Sequence, residues 1–186
     1  MTVHVAMLRG INLGPKRRVA MADLRTLLTD AGYGDVRTYV QSGNVVLTSS
    51  AKAAAVQREL RTIISARFGF DVPVIVRSAA QLAAVVKADP LGDVAEDPKR
   101  YQVSFLDAEP APEAIARLRA RAVGDERVVA ERREIYAWHP AGIARSKLWS
   151  ALAGTDLGVT ATARNWTTVT TLLEMASPSS GAADDP

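Results

Sequence analysis

Two short β-rich runs, residues 35–40 (DVRTYV) and 44–48 (NVVLT), are separated only by Gln41-Ser42-Gly43 and are enclosed on both sides by helical stripes. That spacing predicts an antiparallel hairpin with one helix entering it and another leaving it. Upstream, residues 3–9 (VHVAMLR) are rich in Val, Met and Leu, the pattern of a buried strand. Met21, Leu24, Leu27, Leu28 and Ala31 then fall on one helical face, with Gly32 as a left-handed stop. Downstream, Val56, Leu60, Ile63, Ile64 and Phe68 make a second stripe, which Ser49 or Ser50 is expected to cap and Gly69 to end. Residues 73–77 (PVIVR) complete the set as a fourth strand. The order is βαββαβ, the ferredoxin-like split unit.

The pattern then recurs in part. Ser78 and Gln81 have capping-box spacing and open a helix with Leu82, Val85 and Val86 inward. Pro90 closes it, and residues 89–99 read as a polar connection. Residues 101–106 (YQVSFL) form a strand, and Pro112 starts a helix with Ile115 and Leu118 inward, ended by Gly124. Residues 126–131 and 134–138 form a hairpin across Arg132-Arg133. A short helix over 147–153 follows, then a last helix packing Trp166, Val169, Leu172 and Leu173. The expected class is α+β: duplicated ferredoxin-like units, the second incomplete for want of its last strand, with a C-terminal helix. The organisation this implies is a first unit over 1–77, a helix and connection over 78–99, a second unit with its C-terminal helices over 100–176, and a disordered tail over 177–186.

Composition narrows the function classes. There is no cysteine among 186 residues, which excludes a disulfide framework, a thiolate zinc site and a cysteine nucleophile. The two histidines, His4 and His139, are isolated and make no metal-ligand spacing, so no metal and no cofactor are expected. No apolar run approaches the ~18 residues of a membrane span, and the first residues lack signal-peptide character, so a cytoplasmic protein without membrane contact is expected. The net charge of +3 permits an anionic partner without requiring nucleic acid. The RNA-recognition variant of this fold displays aromatic residues on its first and third strands, and none occur in VHVAMLR or NVVLT. Glu131 and Glu134 flank the second hairpin turn and are expected to be solvated.

Three polar segments at element ends are the candidate chemistry. In a split βαβ unit the end of strand one and the strand two–three turn share an edge. Arg9, Gly10, Asn12 and Lys16 are therefore expected beside Gln41, Ser42, Gly43 and Asn44, with the amides of the first helix facing an anion. The second segment is Arg145, Ser146 and Lys147, where Ser146 is the N-cap of the short helix. It lacks the spacing of a P-loop. The third is Arg164 and Asn165, at the start of the last helix, where the dipole disfavours a cation unless an anion lies nearby.

The stretches LRGINLG with Lys16, MADLRTLL, RTYVQSGNVVL, GIARSKL and TARNWTTV together resemble the bacterial domain of unknown function 1697 family. The resemblance implies a small cytosolic α+β protein and a single surface formed by the three segments. It brings no activity with it. Pro15 stands where that pattern leads one to expect a second glycine, and it removes one amide donor.

The expected function is binding of a phosphate- or carboxylate-bearing small molecule at this Arg/Lys/Asn-rich surface. No nucleophile or tuned base is legible, so whether a reaction follows stays open, as does the oligomeric state. The alternatives are nucleic-acid phosphate binding through Lys16, Arg17, Arg18, Arg145 and Arg164, and a non-catalytic interaction module in which these residues are structural.

Overall fold

A computed structural model describes residues 1–154 and 157–177. The chain runs β1 (Thr2–Leu8), α1 (Met21–Asp30), β2 (Gly34–Tyr39), β3 (Asn44–Ser49), α2 (Ala53–Phe68), β4 (Val74–Ser78) and α3 (Ala79–Ala88). It continues β5 (Tyr101–Leu106), α4 (Pro112–Arg119), β6 (Arg127–Glu131), β7 (Glu134–Trp138), α5 (Lys147–Ala153), β8 (Ala161–Asn165) and α6 (Trp166–Ala176). The strands form two sheets, ordered β2-β3-β1-β4 and β6-β7-β5-β8, antiparallel throughout. Both sheets have the ferredoxin-like order.

The second unit is therefore complete, which corrects the expectation that it lacks its last strand. β8 lies beside β5 as β4 lies beside β1. Its sequence, ATARN, carries no large apolar residue, and its strand state is set by pairing with the fully buried β5 rather than by local propensity. Arg164 accordingly sits in this strand and not within the last helix. The α2 start also differs from expectation. Its N-cap is Lys52, without a side-chain cap, while the Ser49 hydroxyl accepts from the Ala51 amide at 3.1 Å. The Ser78–Gln81 capping box is present as expected. The expected tail lies outside the described residues from 178 onward. Among the described residues no helix is long and apolar enough to cross a membrane.

Strand periodicity explains the layers. Ala6 and Leu8 of β1, with Val45 and Leu47 of β3, pack under Leu24 and Leu28 of α1 and Leu60 and Ile64 of α2. The alternate residues Val5, Met7, Val46 and Ile75 face the other way, into a central core with Tyr101, Val103, Phe105 and Tyr136 of the second sheet. Leu82 and Val85 of α3 and Val169 and Leu172 of α6 fill that same core. The outer face of the second sheet packs under α4 and α5 through Leu118, Leu148 and Leu152. β1, β3 and β5 are buried on both faces along most of their length; β1 and β3 read as near-continuous apolar runs, whereas β5 alternates and buries the polar Gln102 and Ser104 on its second face. α6 contacts β1 and β3 of the first sheet as well as β5 and β8 of its own.

Candidate functional site: the edge after the first strand

The edge predicted from topology is present. The Leu8 amide donates to the Gly43 carbonyl at 2.9 Å, which docks the β2–β3 turn onto the end of β1. Gly43 has φ +76°, and a Cβ there would lie 2.7 Å from Leu8 Cβ and 2.8 Å from Ile11 Cδ1. Only glycine allows this approach.

Asn12 organises the loop that follows. With φ +55°, it turns the chain back on itself. Its Oδ1 accepts from the Val19 amide at 2.9 Å, and its Nδ2 donates to the Val19 carbonyl at 3.0 Å and the Gln41 carbonyl at 2.7 Å. One side chain thereby closes the neck of the loop and ties it to the hairpin turn. Arg17 anchors the other side. Its Nε donates to the Gly10 carbonyl at 2.8 Å, its Nη2 donates to the Asp71 carbonyl at 2.7 Å, and its guanidinium lies 4.8 Å from the Phe70 ring centre. Lys16 and Arg18 are left in solvent, and among the described residues neither makes a hydrogen bond or an ion pair. A shallow groove of about 450 Å³ is lined by Asn12, Gly14, Pro15, Arg18 and Gln41. α1 begins only at Met21, and no side chain caps its first amides.

Arg164 comes to this edge from the second unit. On β8 it is on the same face as Thr162, and both are buried. Its Nε donates to Asn44 Oδ1, its Nη1 to Thr162 Oγ1 at 2.9 Å and the Ala163 carbonyl at 2.8 Å, and its Nη2 to the Leu8 carbonyl at 2.8 Å and the Ser42 carbonyl at 3.1 Å. A guanidinium has five N–H donors, and all are used. Burial pushes its pKa down to about 10, which leaves it charged at neutral pH. Arg9 binds in the opposite direction. It donates to the carbonyls of Ala153 and Gly154, at 2.9 and 3.3 Å, at the C-terminal end of α5. Asn165 caps α6 through the Thr168 amide at 2.9 Å.

The second segment lies elsewhere. Ser146 caps the start of α5, accepting from the Trp149 amide at 2.9 Å. The seven residues of α5, at ~1.5 Å each, set it about 10 Å from the end that Arg9 reaches. Arg145 and Lys147 are exposed beside a separate groove of about 680 Å³, which Arg145, Ser146, Val123 and Glu126 help to line. Beneath it Ser146 Oγ donates to Glu126 Oε1, and His139 Nδ1 lies 3.0 Å from the same oxygen. Burial raises the Glu126 pKa, but hydrogen bonds from Ser146, His139 and the Val123 amide outweigh it and hold the carboxyl below its ordinary value. Ser146 and Glu126 both lie against the same imidazole nitrogen, Nδ1, so His139 is not placed to relay a proton from serine to carboxylate.

Arg77 is buried between the sheets. Its Nε donates to Glu134 Oε1 at 2.8 Å, and its Nη2 donates to the carbonyls of Leu106 and Arg133, at 2.8 and 3.2 Å. Glu134 is thus drawn into a partly buried pair with the buried Arg77 rather than left solvated, a correction whose cause is the cation brought over from the first unit. The signal for Arg77 was present in the sequence: period two places it on the same strand face as Ile75. Glu126 carried no local signal for its side-chain partners, because His139 and Ser146 arrive from the end of β7 and the start of α5.

The structure resembles that of the conserved bacterial protein SP0830 from Streptococcus pneumoniae, with a TM-score of 0.79 over 95% of this chain and 99% of that one, at 24% identity. This likeness concerns the fold. No curated protein matches the chain. A family model described as "Protein of unknown function (DUF1697)" matches residues 1–136, from β1 with its loop and the Gln41–Asn44 turn into β7. The chain belongs to that family.

Proposed function

We propose that the chain binds a phosphate- or carboxylate-bearing small molecule at the edge formed by the loop after β1 and the β2–β3 turn. One observation carries this reading. Asn12 and Arg17 spend six hydrogen-bonding contacts (Asn12 three, its backbone amide one, Arg17 two) holding a loop whose tip contributes no buried residue to the core. The rigidity benefits what the loop displays: Lys16 and Arg18 in solvent, with Arg18 lining one groove with Asn12 and Gln41. A loop whose backbone is already held presents its cations to an anion with less ordering cost than a mobile one. A structural role is the second reading for Arg164, Asn165 and Ser146, supported by their internal hydrogen bonds. Arg145 and Lys147 stand apart from this edge and are not assigned to it.

A thermal-shift panel of inorganic phosphate, sugar phosphates, dicarboxylates and a short RNA tests the proposal on the wild type and a Lys16→Ala/Arg18→Ala variant. A ligand at 100 times its Kd stabilises by ~2.7 kcal/mol, or ~5–11 °C for a chain of this size. A small anion should raise Tm in the wild type and have little effect in the variant. No shift with any anion, or an equal shift in the variant, overturns the reading. A shift confined to RNA and lost in salt assigns the edge to nucleic acid instead.

A further inference from the structure

The two units supply an internal comparison. Arg77 near the end of β4, before α3, and Arg164 near the end of β8, before α6, hold equivalent places. Each crosses to the other unit and donates to the last carbonyl of its first strand, Leu106 or Leu8. Each also meets the first residue of the third strand. In the second unit that residue is Glu134, opposite Phe105, and in the first it is Asn44, opposite Met7. One crossing therefore carries its own counter-charge. The other places a buried cation among acceptors that, among the described residues, are all neutral.

The neutral substitute transmits that charge. Asn44 accepts from Arg164 at Oδ1 and donates from Nδ2 to Ser42 Oγ at 2.9 Å. Ser42 is exposed, and among the described residues its own hydroxyl proton has no acceptor. A hydrogen-bond chain thus runs from a buried guanidinium to a surface O–H, each donor polarising the next. The guanidinium itself has no N–H to spare, so a ligand meets the chain at its outer end.

We infer that the Ser42 hydroxyl is the donor that grips the anion at this edge, with Arg164 and Asn44 as positioning residues that orient and polarise it from the other unit. This rests on the anion-binding reading and adds a specific atom to it. A residue far away in sequence then shapes the site, and the matching Arg77 crossing is its natural control.

The test is an NMR titration of 15N-labelled protein with inorganic phosphate, followed at the Ser42 and Gly43 amides. Wild type, Ser42→Ala, Ser42→Thr, Arg164→Lys and Arg77→Lys are compared. Hydrogen bonds to charged groups predict at least ~10-fold weaker binding for Ser42→Ala, with Ser42→Thr close to wild type. Arg164→Lys keeps the charge but loses the fork, and it should weaken binding as Ser42→Ala does. Arg77→Lys should bind like wild type. Wild-type affinity in Ser42→Ala overturns the inference and leaves the anion site standing, as does an equal loss in Arg77→Lys and Arg164→Lys, which assigns the effect to general loosening. A wild type that does not respond to phosphate overturns the anion reading for this probe and the Ser42 role with it. Should Arg164→Lys fail to fold, the Ser42 pair decides, because that side chain is exposed.

Discussion

Gly43→Ala separates backbone strain from steric crowding at the candidate edge, because the fold contains a matched control. Gly43 has φ +76° and Gly69, the C-cap of α2, has φ +77°. Alanine meets the same left-handed penalty at both, ~1–2 kcal/mol. The surroundings differ. At Gly69 nothing among the described residues lies within 4 Å of the added Cβ, whereas at Gly43 it meets Leu8 Cβ at 2.7 Å and Ile11 Cδ1 at 2.8 Å. Both neighbours are buried, so neither can swing into solvent. Overpacking of this kind costs a further ~1–3 kcal/mol. Gly43→Ala should therefore melt ~2–12 °C below Gly69→Ala, at ~2–4 °C per kcal/mol. Differential scanning calorimetry of the two variants with the wild type measures the difference directly. Melting temperatures within one degree of each other would refute the claim that the turn is pressed against β1 with no room for a side chain.

Three other outcomes follow from the same geometry. Asn12→Ala loses three side-chain hydrogen bonds and places alanine at φ +55°, and should lower stability by about 2–3 kcal/mol in urea unfolding, while Lys16→Ala changes it by less than about 0.5. Glu134→Gln leaves the buried Arg77 without its counter-charge, and should cost on the order of 2 kcal/mol, with much of that loss absent when Arg77→Met is already present in a double-mutant cycle. The Glu126 carboxyl is held below its ordinary value of 4.5, so it binds fewer protons folded than unfolded. Its stabilisation is complete above that value and is lost as pH falls through the lower folded one. Glu126→Gln should flatten the decline of Tm below about pH 4.5, and an unchanged acid limb would refute the linkage.

The sequence and the structure agree most where a single segment carries its own signal. The hairpin across Gln41–Gly43, the capping box of α3, the helix over 147–153 and the approach of Asn12 to Gln41 are legible because turn chemistry and periodicity are local. The candidate surface was legible only in part. The first and third segments meet through Arg164, but the second lies at the far end of α5. Glu134 illustrates the reason: beside a hairpin turn it reads as a solvated charge, and only the arrival of Arg77 from 57 residues away makes it the partner of a buried cation.

By itself, then, the amino-acid pattern determined the elements of the first unit, their βαββαβ order, and hence which edge brings Asn12 to Gln41. Tertiary structure decided the rest. ATARN becomes β8 because β5 offers an open edge, and its pairing energy exceeds a weak propensity. Arg77 and Arg164 become crossings between units because the two sheets face each other over one core, and a buried guanidinium must find its acceptors wherever the fold supplies them.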